Sequence, residues 1–381
     1  MINLISKLPN VKTSIFTVMS QLANDHAAIN LSQGFPDYEC SPELVSLVNN
    51  YMKKGYNQYA PMAGVMALRE KIAEKLNILH HSIYHPETEI TITAGGTQAI
   101  FTALAAVIQP NDEVIIFEPA YDCYAPTIKL LEGLVKPVEL TPPNYGIDWG
   151  MVRQLITNRT RMIILNSPHN PTGSILDEND IKELITITKN TDILILSDEV
   201  YEHLIFDNRK HLSMARFPEL KERSFIVASF GKLFHTTGWK MGYCLAPEKF
   251  MTEFRKVHQF LVFSVNTPMQ YAMADFMAGN SYYDELGEFF ENKRDFFINL
   301  MENTRFKMLP CHGSYFLCTT YKNITEEKDL AFAKRLTTEY KVASIPISAF
   351  YSKNTDHGVL RFCFAKKNET LEQAVEKLIK V

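Results

Sequence analysis

The chain reads as an α/β protein: a large unit with a mostly parallel sheet between helices, followed by a smaller α+β unit. Three observations predict this. From about residue 88 to 245, short β-rich runs alternate with helix-like stretches. Several of those runs are apolar without alternation, as strands covered on both faces require. After Pro268 the pattern turns helical through about residue 303, then strand-like at 314–318 and 359–364.

In chain order, the predicted strands of the large unit are 90–93, 114–117, 162–165, 193–196, 225–228 and 243–246. The first is followed by Gly95-Gly96 and the helical stretch AIFTALAAVI; the others end in segments rich in Pro, Asn, Asp or Gly. In a sheet of this kind, chemistry belongs at the C-terminal ends of the strands. The length of 381 residues allows two or three domain-sized units, and no repeat or low-complexity segment separates them.

A net charge of −4 gives no basic footprint, so nucleic acid is not an expected partner. Cys40, Cys123, Cys244, Cys311, Cys318 and Cys363 form no CxxC pair and match no zinc or disulfide spacing. They are expected to be reduced. Lys7, Pro9 and Lys12 break up the N-terminal apolar residues, and no run approaches a membrane span, so no signal, anchor or membrane partner is expected and the cytoplasm is the expected compartment.

The chemistry concentrates in FIVASFGKLFHTTGWKMG, where Lys232 lies three residues after Ser229 and eight before Lys240. A lysine amine becomes a nucleophile when a dry pocket or a neighbouring cation lowers its pKa. Lys232 has both options. A phosphate held by Ser229 and backbone would bring the two lysines into one site, and an aldehyde that carries a phosphate is pyridoxal 5′-phosphate.

Other strand ends offer the complementary groups. Gly95, Gly96 and Thr97 open a helix whose free N–H groups could hold that phosphate. Asp198 at the end of 193–196 could pair with a protonated pyridine nitrogen, with Tyr201 donating to the ring's phenolic oxygen. Asn170, set between two prolines in NSPHNPTG, could bond the same oxygen or a substrate carboxylate. Tyr121 could stack on the ring, and Arg361, amid apolar neighbours in LRFCF, suits a substrate carboxylate. Each has a plain alternative: a tight turn, a helix cap, an Asn-Pro turn, ordinary packing or a structural salt bridge. No GxGxxG and no P-loop spacing occurs. His235 is expected only to pack.

Together, AGGTQ, EPAYDCY, NSPHNPTG, SDEVY, SFGK, GWKMG and LRFCF occur in an order that resembles the class I and II aminotransferases, pyridoxal-phosphate-dependent transferases of fold type I. The likeness spans nearly the whole chain. It implies Lys232 as the Schiff-base lysine, Asp198 as the acid on the pyridine nitrogen, and Tyr201 and Asn170 as partners of the phenolic oxygen. It also implies Arg361 on the substrate carboxylate, Gly34 in INLSQGFPD beside the substrate, and Tyr121 stacked on the ring. NQYAPMAG resembles the segment that offers Tyr59 to the phosphate of the other subunit, and RKVHQFLVFSVNTP another stretch bordering the neighbouring site. A homodimer with shared active sites follows, as does a division into an N-terminal arm with part of the small domain (1–44), a large domain (45–270) and a C-terminal small domain (271–381).

More narrowly, INLSQGFPD, HQFLVFSVNTP, GYCLAP and RFCFAKK are similar to the branch holding bacterial methionine aminotransferases and kynurenine/glutamine aminotransferases. The aspartate branch has an arginine for a second substrate carboxylate in the stretch that here reads Gln259-Phe260-Leu261-Val262-Phe263, and a phosphate-binding arginine where this chain has Lys240. The expected reaction is a ping-pong transfer from an apolar, thioether or aromatic amino acid to a 2-oxo acid, with methionine foremost and phenylalanine, kynurenine and glutamine beside it. A β-lyase acting on cysteine conjugates is the first alternative; a non-catalytic binding protein is the second.

Overall fold

The computed structural model describes residues 5–279 and 282–381. Seven strands form the large sheet: β1 Ile90–Thr93, β2 Glu113–Glu118, β3 Leu134–Glu139, β4 Thr160–Asn166, β5 Leu194–Asp198, β6 Ser224–Ser229 and β7 Gly242–Leu245. Their order across the sheet is β1-β7-β6-β5-β4-β2-β3, and every pairing is parallel except the two made by β7. The largely parallel sheet matches the sequence expectation, with two features the sequence did not reveal. The strand at 243–246 is reversed, and Leu134–Glu139, with Lys136 and Pro137, is a strand that the apolar pattern does not reveal. It lies at the sheet edge, where a proline costs no central ladder bond.

The continuous apolar runs feed two cores. Val114, Ile116, Met162, Ile164, Leu194 and Leu196 face one side, where Ile100, Ala103 and Leu104 of the helix Gly96–Val107 cover them. Their neighbours Ile115, Phe117, Ile163, Leu165 and Ile195 face the other. Alternation is present, but both faces are dry, so it is invisible as a polar/apolar pattern.

A four-stranded antiparallel sheet follows: β8 Lys307–Met308, β9 Phe316–Thr320, β10 Ile345–Pro346 and β11 Val359–Cys363, in the order β10-β11-β9-β8. The N-terminal residues Ile29–Asn30 pair in parallel with Val342–Ala343. This brings the segment before Gly34 against the C-terminal part of the chain. Among the described residues, no helix is long and apolar enough to cross a membrane.

Immediately after β5, a buried ionic network anchors the turn. Lys75 Nζ donates to Glu202 Oε1 at 2.6 Å and to Tyr243 Oη at 2.7 Å, and the Lys75 and Glu202 side chains are 2% and 8% exposed. Burial opposes ionisation of Glu202, but Lys75 and His203 overcome it and hold the carboxyl well below its usual range. Removing Lys75 takes away the buried Glu202 carboxylate's full cationic partner and leaves it with Tyr243 and the neighbouring His203. Lys75→Ala is therefore expected to destabilise the protein by about 3–5 kcal/mol, read as a lower urea midpoint. An unchanged midpoint would show the network to be dispensable.

Candidate active site

The C-terminal ends of β1, β4, β5 and β6 converge on a cavity of about 310 Å³. The reversed β7 enters the sheet at the same edge, because Gly242 pairs with both Ser229 and Thr93. Its direction therefore delivers the preceding loop, with Lys240, to the strand ends that carry Gly95 and Ser229.

Gly34, Gly95, Gly96, Thr97, Tyr121, Asn170, Asp198, Tyr201, Ser229, Lys232, Lys240 and Arg361 all line this one cavity. Tyr59 does not. Its side chain is 83% exposed and meets Phe263 edge-on, with ring centroids 5.3 Å apart. It borders a separate surface depression with Met52, Ser264 and Asn266. The apolar stretch that follows Gln259 lies near it, with Phe260 and Phe263 exposed. His235 packs edge-on against Tyr38 and Phe290 and is not among the lining residues.

Lys232 sits in the one-turn helix Phe230–Leu233, directly after β6. Its Nζ donates to Tyr315 Oη at 2.7 Å and to the Gly34 carbonyl at 3.1 Å. Burial lowers its pKa to about 8, and the nearby Arg361 and Lys240 charges act in the same direction. A free amine is thus accessible near neutral pH. Asp198 is buried; it accepts from Tyr124 Oη at 2.6 Å and from the Val200 N–H at 3.3 Å. Burial raises its pKa to about 6 and the two donors only partly oppose this, so without a cation beside it the carboxylate is held at a cost.

Asn170 is placed by its neighbour on β4. Asn166 Nδ2 donates to the Asp198 carbonyl at 2.9 Å, while its Oδ1 accepts the Asn170 N–H at 2.8 Å. Arg361, on β11, is wholly buried: it donates to Asn170 Oδ1 at 2.7 Å and to the Ser32 carbonyl at 2.8 Å, and its guanidinium lies 3.8 Å from the Phe316 ring centroid. These partners are neutral, and among the described residues its Nε has none. A buried guanidinium held this way is built to receive an anion.

The cradle at the other end of the cavity fits a phosphate. Gly95 has φ +80°, and a Cβ added there would come 3.4 Å from Lys240 Nζ. The backbone of Gly95 and Gly96 is therefore bare beside a cation, at the start of the twelve-residue helix Gly96–Val107. Thr97 and Tyr121 share a hydroxyl contact at 3.3 Å. Phosphate cradle, amine, buried acid and carboxylate-seeking arginine together match pyridoxal 5′-phosphate and an amino acid.

Sequence reasoning missed Phe16, Gln33, Asn166 and Phe316, which line the cavity, and Tyr124 and Tyr315, which hold Asp198 and Lys232. Tyr124 and Asn166 lay inside quoted motifs; Tyr315 carried no local signal.

The family described as aminotransferase class I and II matches residues 27–378. Methionine aminotransferase of Escherichia coli (strain K12) is 46% identical over 374 residues, covering 98% of this chain and 97% of its own length. Human kynurenine–oxoglutarate transaminase 1 is 31% identical over 396 residues, covering 94% of each chain. Among solved structures, an Escherichia coli protein identified as having a methionine aminotransferase function superposes with a TM-score of 0.98 at 44% identity, covering 100% of both chains. The chain belongs to the class I and II aminotransferases and is a pyridoxal 5′-phosphate-dependent enzyme that acts on amino acids and 2-oxo acids.

Proposed function

We propose that this aminotransferase takes its amino group from an amino acid with a thioether, aromatic or amide side chain, methionine foremost, and passes it to a 2-oxo acid in alternating half-reactions. The observation that carries the substrate range is the lining: among the described residues around the cavity, Arg361 is the one guanidinium, and Phe16, Ile100, Tyr121 and Phe316 make much of the remainder apolar or aromatic. One carboxylate is provided for, a second is not. The identity to the Escherichia coli methionine aminotransferase supports the same reading.

In this reading Asp198 would pair with the pyridine nitrogen of the cofactor, Tyr201 and Asn170 with its phenolic oxygen, and Tyr121 would stack on its ring. Gly95, Gly96, Thr97, Ser229 and Lys240 would hold its phosphate. When bound, the cofactor supplies an electron-poor ring that takes up the electron pair of a broken Cα–H bond. Lys232 then moves the proton, Arg361 orients the substrate by its carboxylate, and Gly34 closes the floor beside the substrate.

Tyr59 would serve a second subunit's phosphate in a homodimer; its exposure and the exposed Phe263 packed beside it support this. The N-terminal segment 1–44, described from residue 5, belongs partly to the small domain, supported by the pairing of Ile29–Asn30 with Val342–Ala343. The large domain is taken as 45–270 and the C-terminal small domain as 271–381, with the helix Thr267–Gly279, which packs on Pro42–Lys53 and Met66–His80, spanning the boundary. The cytoplasm is the proposed compartment.

The test is an absorbance scan of the loaded enzyme as single amino acids are added without any acceptor. Loss of the long-wavelength band with methionine, and not with aspartate, is expected; a preference for aspartate would overturn the substrate range. In the same assay Arg361→Lys, which loses the paired donors, is expected to raise the half-saturating methionine concentration roughly 30- to 150-fold, equivalent to about 2–3 kcal/mol. An unchanged value would remove Arg361 from carboxylate binding.

A further inference from the structure

We infer that Tyr315 is a positioning residue for the Lys232 amine, fixing the direction in which the nitrogen's lone pair points. The inference rests on the reading of Lys232 as the proton carrier. Lys232 Nζ donates to Tyr315 Oη at 2.7 Å and to the Gly34 carbonyl at 3.1 Å. The Tyr315 O–H itself donates to the same Gly34 carbonyl. With that proton donated to Gly34, the phenol oxygen meets the lysine as an acceptor; the Tyr315 hydroxyl also contacts that of Tyr201.

A neutral amine has two N–H bonds and one lone pair. With both N–H bonds engaged, the lone pair takes the remaining tetrahedral direction, and free rotation about Cε–Nζ stops. When the amine takes the substrate proton, the Cα–H bond breaks, an Nζ–H bond forms along that direction, and the electron pair of the broken bond is left on the substrate side, to be drawn off by the electron-poor ring. The ammonium keeps both acceptors, so its third N–H still points where the proton was collected. The same proton can be handed on without a bond rotation.

The surroundings keep this arrangement rigid. Tyr315 is buried, edge-on to Tyr201 and Phe316 with centroids 5.0 and 4.8 Å away, and tilted on Phe290 at 5.8 Å. Gly34 can present its carbonyl because a Cβ there would come 2.7 Å from the Phe316 ring. The Lys232 ammonium also lies 5.5 and 5.3 Å from the Tyr201 and Tyr315 ring centroids, which favours holding the charge once the proton arrives.

The test uses the full chain carrying Tyr315→Phe. Competitive acetylation of cofactor-free protein across pH, read by mass spectrometry, gives the midpoint at which Lys232 becomes reactive. An acceptor serves an ammonium better than an amine, so the midpoint is expected to fall by about one pH unit. In single-turnover reaction with Cα-deuterated methionine, the rate is expected to fall about tenfold with a larger isotope effect and unchanged half-saturation. A tyrosine that only packs would move neither readout. If the phenylalanine variant does not fold, 3,5-difluorotyrosine at the same position keeps the packing, weakens the acceptor and is expected to lower the midpoint by less. A wild-type midpoint in whichever of these variants folds overturns the inference. Failure of wild-type protein to react with methionine would sink the donor assignment alone, because the acetylation midpoint needs no substrate.

Discussion

Lys232→Ala is expected to abolish turnover, by about 10⁴-fold or more, while leaving the fold intact. Lys232 occupies a one-turn helix held by its backbone, since Phe230 N–H donates to the Met241 carbonyl and Phe234 N–H to Phe230, so the side chain contributes little to packing there. Its amine is nevertheless the one lysine nitrogen bonded to both Gly34 and Tyr315, in a setting where burial lowers its pKa to about 8. General acid–base catalysis alone accounts for about 10²–10⁴-fold, and the covalent attachment adds to it. Added small amines are expected to restore part of the proton transfer. The measurement is single-turnover amino transfer with circular dichroism as the fold control, and full turnover in the variant would remove Lys232 from the chemistry.

The second large effect is on cofactor retention. Asp198→Asn is expected to weaken pyridoxal 5′-phosphate binding about 10²–10³-fold, since a buried charge pair loses about 3–4 kcal/mol when one partner is neutralised. Asp198 also sets a pH dependence. In the empty site burial raises its pKa to about 6; beside a protonated pyridine nitrogen it would be depressed below that value. Binding is then fully favourable above about pH 6 and is lost as pH falls through it, up to tenfold per pH unit until the bound-state pKa is reached. The asparagine variant should lack this acid limb. Equilibrium dialysis of the cofactor across pH reads both effects, and an acid limb that persists in the variant would assign it to another group.

How much of this was legible in the sequence depends on which force placed each residue. Asp198, Asn170 and Gly95 were legible because parallel strands end in turn-forming residues, and such ends converge. Arg361 was legible because an arginine flanked by Leu360 and Phe362 has no reason to be there without an anion. The direction of β7 was not, since an antiparallel strand buried on both faces has the same composition as a parallel one. Leu134–Glu139 was hidden by Lys136 and Pro137, which an edge strand tolerates. Tyr315 was hidden for a different reason: within residues 314–318 it looks like any core aromatic, and only the tertiary approach of Gly34 and Lys232 gives its hydroxyl a partner. Phe16 and Gln33 come from the far N-terminus, where the Gln33 amide donates to the Phe16 carbonyl at 3.0 Å. Gln33 lay inside the quoted motif INLSQGFPD beside Gly34, but no local spacing joins Phe16 to strand ends that begin at Thr93.

The most direct measurement is borohydride reduction of the loaded enzyme, followed by digestion and mass spectrometry of the peptides. The account predicts the phosphopyridoxyl mass on Lys232 alone, and its loss from that residue when excess methionine is added before reduction. Label on Lys240, label spread over several lysines, or label on Lys232 that methionine leaves untouched would contradict it.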